Sequence, residues 1–147
     1  MTNLIIKQPE TQQEYDEYYQ LRWELLAKPW NQSFEICQDD KEATSYHLMA
    51  IYDGTIAGIS RLHINTKDEA QIRYMGVIDA YQRKGIGAEL VKELEEYAKS
   101  VNIEKIVLNA REIAIPFYDA QGYSYVEDAH VAFGVIKHVR MEKEFKL

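Results

Sequence analysis

The sequence has little of what anchors or cross-links several classes of protein. Its 147 residues include a single cysteine, Cys37, so no internal disulfide can form, and no Cys/His cluster has the spacing of a zinc site. It contains no apolar run of about 18 residues, and its first ten residues do not resemble a secretory signal. We therefore expect a cytoplasmic protein with no metal centre and no membrane-spanning segment.

Basic residues are also in the minority. The chain has 17 Lys and Arg against 24 Asp and Glu, a net charge of −7. A nucleic-acid binder needs a basic footprint, so we expect no nucleic-acid partner. Hydrophobic residues make up 46% of the chain and charged residues 28%, which is typical of a globular protein. The length predicts a single domain over residues 1–147.

Hydrophobic periodicity predicts a chain that alternates between strands and helices. Asp53-Gly54 between two apolar runs indicates a tight hairpin, and Thr11 with Glu14 indicates a capping box. The predicted strands are 4–7, 46–52, 55–64, 70–78, 105–109, 123–126 and 131–142, and the predicted helices are 11–27, 85–101 and 113–121. The order β-α-β-β-β-α-β-α-β-β predicts an α/β or α+β fold around a mixed sheet.

The segment 74–88 is the most informative part of the sequence. A strand enters a turn that contains Gly85 and Gly87, and the turn leads directly into an amphipathic helix. The first turn of a helix has free N–H groups and the positive end of the dipole, which suits a phosphate or pyrophosphate. The P-loop pattern is absent, and Leu90 replaces the third glycine of the dinucleotide pattern. A structural protein in which the glycines serve only to form the turn is the alternative.

What remains is the pattern Gln82-x-x-Gly85-x-Gly87, which resembles the acetyl-CoA-binding motif of the GCN5-related N-acetyltransferases (GNAT). Downstream, Phe117-Tyr118 followed by Gly122-Tyr123 resembles the second signature of that superfamily. The resemblance implies a GNAT-type mixed, mostly antiparallel sheet flanked by helices. It also implies acetyl-CoA as cosubstrate and direct transfer of the acetyl group to a primary amine in a ternary complex.

The same resemblance assigns residues to acetyl-CoA. Pantetheine would lie along the strand that ends at Val77, and the backbone N–H groups of about 83–88 would hold the pyrophosphate. Many members have an asparagine where this chain has Arg111, so the nearby Asn109 is the candidate for that contact. The full set of expected acetyl-CoA contacts is Met75, Gly76, Val77, Gln82, Arg83, Lys84, Gly85, Ile86, Gly87, Ala88 and Asn109.

Three residues are candidates for proton transfer. Tyr118 matches the tyrosine that protonates the leaving thiolate in many members. The base is less defined, because Gln71 stands where histone acetyltransferases of the superfamily carry a glutamate. His63 and His138 are the candidate bases, since an imidazole is neutral near pH 7.

The acceptor is the least determined feature. Arg61, Arg73 or Arg111 could bind a substrate carboxylate through two parallel hydrogen bonds, and Trp30 could form a wall of the acceptor pocket. We expect a small-molecule amine rather than a protein as the acceptor, and a homodimer because many relatives of this type are dimers. The alternative is a noncatalytic acyl-CoA-binding module whose acceptor site has lost its base.

Overall fold

A computed structural model describes residues 3–146, which form a seven-stranded sheet with helices on its faces. The elements in chain order are β1 (Leu4–Lys7), α1 (Gln12–Leu26), β2 (Tyr46–Tyr52), β3 (Thr55–Ile64), β4 (Glu69–Val77), α2 (Ile86–Ser100), β5 (Lys105–Arg111), α3 (Ile115–Ala120), β6 (Ser124–Ala132) and β7 (Ile136–Glu144). The strands lie in the order β1-β2-β3-β4-β5-β7-β6, and only β4 and β5 are parallel among the described pairs. The predicted order of elements and the mixed sheet are confirmed.

Local signals in the sequence account for where several elements begin and turn. Thr11 and Glu14 form the predicted capping box, in which each side chain accepts a hydrogen bond from the other residue's N–H. Asp53 and Gly54 have φ of 48° and 84°, as a two-residue hairpin between Tyr52 and Thr55 requires. These boundaries depend on a few neighbouring residues, which is why the sequence predicts them closely.

Two hydrophobic clusters pack against the sheet. The larger one joins the apolar stripe of α2, including Leu90 and Leu94, to Leu62, Ile72 and Leu108 of the strands. The smaller one joins α1 to Met49 of β2 and Ile59 of β3, whose side chains point to the opposite face of the sheet. Across residues 3–146, every helix is too short or too polar to span a lipid bilayer.

The sheet is split at its centre. Ile59 pairs with Gly76 and Arg61 with Arg73, so β4 has one residue more than β3 between these pairs. This β-bulge contains Tyr74, whose φ is 55°. The parallel pairing of β4 with β5 ends at Ile72 and Leu108. Beyond that point the two strands are no longer paired, and a cleft opens between them.

The β6–β7 hairpin differs from the prediction. The expected second strand, 131–142, begins inside β6, which continues to Ala132, and β7 begins at Ile136. The turn uses Phe133 and Gly134 at φ of 53° and 73°. A phenylalanine with positive φ is unusual, and the Asn-Gly or Asp-Gly pair that marks many such turns is absent here. The sequence therefore carries no signal for the position of this turn.

Candidate active site

A cleft of about 1140 Å³ occupies the opening between β4 and β5. Its walls are the diverging ends of the two strands, the first turn of α2, α3 and the β6–β7 turn. The predicted residues Met75, Gly76, Val77 and Asn109 all line it. The cleft is large enough for an extended cosubstrate tail as well as a small acceptor.

The edge of β4 presents free backbone amides to this cleft. Ile78 donates its N–H to the carbonyl of Ala57 beside β3, at 2.8 Å. Successive amides along a strand point to opposite edges, so the N–H of Val77 points away from β3. Since β5 no longer pairs with β4 there, this amide is available to a ligand.

The start of α2 is a second group of free amides. Arg83 and Gly85 have φ of 65° and 80°, and Gly85 caps the helix without a side-chain hydrogen bond. Within residues 3–146, the N–H groups of residues 83–88 donate no hydrogen bond to another protein group. These donors and the positive end of the helix dipole fit a pyrophosphate.

Three residues of this loop have contacts that sequence reasoning missed. The Gln82 amide donates to the carbonyl of Val77 at 3.2 Å and so stabilises the turn. A Cβ on Gly87 would lie 3.1 Å from the ring of Phe117, so this glycine is also required for packing. Lys84 lies outside the cleft lining, with its Nζ 5.6 Å from the ring of Tyr52.

The second predicted motif folds as a short helix with a glycine stop. The N–H of Gly122 donates to Asp119, and that of Tyr123 donates to Tyr118, both at 3.0 Å. This is a Schellman motif, and it requires the φ of 93° at Gly122. The motif places Tyr118 among the residues that line the cleft.

Tyr118 is a buried phenol with two notable neighbours, the sulfur of Met75 and the positive charge of Arg111. Its hydroxyl donates to the thioether sulfur of Met75 at 3.6 Å. Burial raises the pKa of Tyr118 to about 12, although the positive charge of Arg111 acts in the opposite direction. The phenol is therefore protonated throughout the neutral range and can act as a hydrogen-bond donor.

His138 lies on the same cleft, at the β7 side. Its Nδ1 donates to the carbonyl of Ile136 at 2.9 Å, because a carbonyl can only accept. In the neutral ring Nε2 is consequently the basic nitrogen. Burial lowers the pKa of His138, and the nearby charges of His130 and Arg111 lower it further. The His130 ring stacks on it at 4.3 Å between centroids.

Comparison with known proteins identifies the fold and its family. Residues 15–123 match the family model described as acetyltransferase (GNAT) family. The chain belongs to the GNAT family. Membership confirms the predicted family, N-acetyltransferase activity and acetyl-CoA as the cosubstrate.

Similar proteins extend along nearly the whole of this GNAT chain. The uncharacterized N-acetyltransferase YjcF of Bacillus subtilis is 29% identical over 131 residues, covering 88% of this chain and 91% of YjcF. An aminoglycoside 6′-N-acetyltransferase complexed with coenzyme A superposes with a TM-score of 0.79 at 16% identity, covering 95% and 96% of the two chains. A GNAT acetyltransferase from Elizabethkingia anophelis with acetyl-CoA bound has a TM-score of 0.73 at 19% identity, covering 98% of each.

The structure does not bring His63 to the cleft with His138. It lies almost buried on β3, outside the lining residues. Arg61 donates to its Nδ1 at 2.8 Å, so the ring nitrogen that would accept a proton already has a donor. Burial and the charge of Arg61 lower the pKa of His63, which keeps the ring neutral.

The three candidate arginines have different surroundings. Arg61 is fully buried, and Asp39 accepts two hydrogen bonds from it, at 2.7 and 3.0 Å. Arg73 lines the cleft but donates to the same carboxylate at 2.9 Å. Arg111 lines the cleft opposite His138 in the β5–β7 register, and its guanidinium lies 4.9 Å from the ring of Trp30. Trp30 is not part of the cleft lining itself.

A buried ionic network beside the bulge escaped the sequence analysis. Glu42 accepts from both Arg22 and Arg61, and the guanidinium groups of Arg22, Arg61 and Arg73 all lie within 5 Å of the Tyr74 ring. The acidic partners come from the connection between α1 and β2, which carries no periodic pattern. Pairing across such sequence separation leaves no signal in a single sequence.

Proposed function

We propose that this chain is a single-domain enzyme that acetylates a primary amine in the cleft between β4 and β5. The observation that carries the proposal is the convergence on one cleft of a free strand edge, an unpaired helix start and two proton-transfer groups, Tyr118 and His138. The acceptor is a small molecule, since part of the cleft is left for it beside the cosubstrate tail. Direct transfer in a ternary complex follows from this common site.

The two groups of free amides would hold acetyl-CoA. The N–H groups of residues 83–88 bind the pyrophosphate, and the side chain of Arg83 adds a positive charge. The edge of β4 pairs with pantetheine amides as an added strand would, while Asn109 offers a polar contact from β5. Gln82 acts by holding the turn through Val77 rather than by contact with phosphate.

The reacting groups then have distinct tasks. Bound acetyl-CoA supplies an acetyl carbonyl activated as a thioester. His138 accepts the proton of the attacking amine at Nε2. The Val77 N–H donates to the carbonyl oxygen as negative charge develops there, a contribution of about 3 kcal/mol. Tyr118 donates its hydroxyl hydrogen to the sulfur as the carbon–sulfur bond breaks.

The proposal is tested by measuring coenzyme A release across a panel of primary amines, with acetyl-CoA binding measured in parallel by calorimetry. We expect both binding and turnover. Tight binding with no turnover on any amine would favour the noncatalytic acyl-CoA-binding module, for which the glutamine at position 71 is the one supporting feature. Failure to bind acetyl-CoA would refute the cleft assignment itself.

A further inference from the structure

Arg111 differs from the other two arginines that could recognise an acceptor. Asp39 neutralises Arg61 and Arg73 through hydrogen bonds of 2.7 to 3.0 Å. Over residues 3–146, no carboxylate lies within 4.0 Å of the Arg111 guanidinium, although that side chain is partly buried. Charged groups in partly buried positions are normally paired, because burial without a partner is costly.

The contact with Trp30 does not satisfy this charge. The guanidinium carbon of Arg111 lies 4.9 Å from the centroid of the Trp30 ring, which is a cation–π contact. Such a contact uses the π-face of the ring and forms no hydrogen bond with the N–H groups of arginine. These N–H groups form the planar fork that matches a carboxylate through two parallel hydrogen bonds.

Arg111 is also placed beside the proposed base. It stands directly opposite His138 in the β5–β7 register, so the two side chains project from the same face of the sheet. The Cβ atoms of such a pair are about 5 Å apart. An acceptor whose amine approaches His138 would therefore bring a group a few bonds away to Arg111.

The charges around the cleft favour an anion at this position. Among the described lining residues Asp79 alone is acidic, and its carboxylate accepts from Gln82 at the opposite end of the β4 edge. Glu112, the neighbour of Arg111, is exposed and pairs with Lys137. The charged residues that line the cleft are thus mainly positive, whereas the whole chain has a net charge of −7.

We propose that the acceptor is an amino carboxylate, a primary amine with a carboxylate a few bonds away, and that Arg111 binds this carboxylate. The inference rests on the proposed function, because the amine must reach His138. Trp30 orients the guanidinium by stacking on it, and Phe133 lies beside Trp30, at 6.3 Å between ring centroids. These two aromatic rings restrict the access of water to the ion pair.

The test uses matched acceptors that differ only in the anionic group: β-alanine and β-alaninamide, γ-aminobutyrate and its amide, and 4-(aminomethyl)benzoate and its amide. We expect kcat/KM to favour the acid of at least one pair by about 10-fold or more, as a charge-assisted hydrogen-bond pair allows. Arg111→Gln should abolish this preference, and Arg111→Lys should restore part of it. Lys92→Gln is the matched control, because it removes the same charge from the exposed face of α2, away from the cleft, and should leave the preference unchanged.

Calorimetric titration of the same acceptors into the coenzyme A-saturated protein separates the two proposals. Acids that bind through Arg111 while no amine of either panel is acetylated would refute the proposed function and support the anion site. Equal kcat/KM within every pair, or a preference that survives Arg111→Gln, would overturn the inference while leaving acetyl transfer intact. An Arg111→Gln variant that weakens only acetyl-CoA binding would assign Arg111 to the cosubstrate instead. Absence of both turnover and acid binding would also overturn the inference.

Discussion

His138 has one ring nitrogen bonded to a backbone carbonyl and the other available as a base. The carbonyl of Ile136 selects the tautomer. Burial lowers the pKa of the ring, the hydrogen bond to Ile136 opposes this, and the charges of His130 and Arg111 lower the pKa further. His63 has the reverse arrangement, since its Nδ1 accepts from Arg61. At the residue scale, hydrogen-bond partners distinguish two histidines that the sequence leaves equivalent.

We expect His138→Gln to lower kcat/KM by about 10²-fold near neutral pH, the ordinary contribution of a general base. Only the neutral ring accepts a proton, so the wild-type rate should fall as pH decreases through the lowered pKa of His138. That acid limb should begin below the usual histidine pKa of about 6.5 and disappear in the variant. A pH–rate profile checks this, and an unchanged acid limb in His138→Gln would exclude His138 as the base.

Tyr118→Phe should lower kcat by about 10²-fold with little change in the Kd of acetyl-CoA, because the hydroxyl acts on the sulfur only during transfer. Since burial raises the pKa of Tyr118 to about 12, its ionisation should add no alkaline limb near neutral pH. Steady-state kinetics and calorimetry measure the two constants. Tyr125→Phe, which removes an exposed phenol of β6, is the control, and an equal loss in both variants would remove Tyr118 from the mechanism.

At the scale of secondary-structure elements, the first turn of α2 acts as a unit. Its amides are free because Gly85 takes a left-handed conformation and caps the helix without a side chain. Phe117 packs against Gly87, which fixes the helix start beside α3 and Tyr118. The two sequence motifs are therefore in contact, and each positions part of the other.

Charge reversal at this helix start tests the anion site. We expect Arg83→Glu to raise the Kd of acetyl-CoA by about 10-fold, since it places a negative charge where phosphate binds. The effect should weaken with added salt, because Arg83 is exposed. Lys92→Glu makes the same change on the exposed face of α2, away from the cleft, and should leave the Kd unaltered. Calorimetry at two salt concentrations measures both variants, and equal affinities would place the phosphates elsewhere.

Over the whole molecule, the ionic network links the α1–β2 connection to the centre of the sheet. Asp39 accepts from Arg61 on β3 and from Arg73 on β4, the register pair directly beside the bulge at Tyr74. The network therefore stabilises β3 and β4 near the place where β4 stops pairing with β5. Burial acts to raise the pKa of Asp39, but its hydrogen bonds to Arg61 and Lys41 and the arginine charges hold it well below the usual range.

Asp39→Asn should lower the free energy of unfolding by about 1.5–3 kcal/mol at pH 7, as loss of a charged hydrogen-bond partner does. Because the folded-state pKa is depressed, the stabilisation by Asp39 is present above the ordinary carboxyl pKa and is lost as pH falls towards the folded value. The variant should therefore lose less stability than the wild type on acidification. Urea unfolding at several pH values measures this. Asp40→Asn, at an exposed neighbour, is the control, and equal stabilities of the two variants would contradict a structural role for Asp39.

The sequence by itself determined the features that depend on nearby residues. The capping box at Thr11, the hairpin at Asp53-Gly54 and the glycine stop at Gly122 each require only a few consecutive side chains. Hydrophobic periodicity supplied the order of strands and helices, and two motifs predicted the GNAT family that the comparisons confirm. The exception is the turn at Phe133-Gly134, whose conformation its residue types do not favour.

Only the tertiary structure decided what each polar side chain can do. Arg61, Arg73 and Arg111 were equal candidates in the sequence, but folding places Asp39 against the first two and leaves the third beside His138. The protonation and availability of a group depend on burial and on charges within a few ångströms. Those neighbours come from distant parts of the chain, so their contacts form only when the sheet and its connections are assembled.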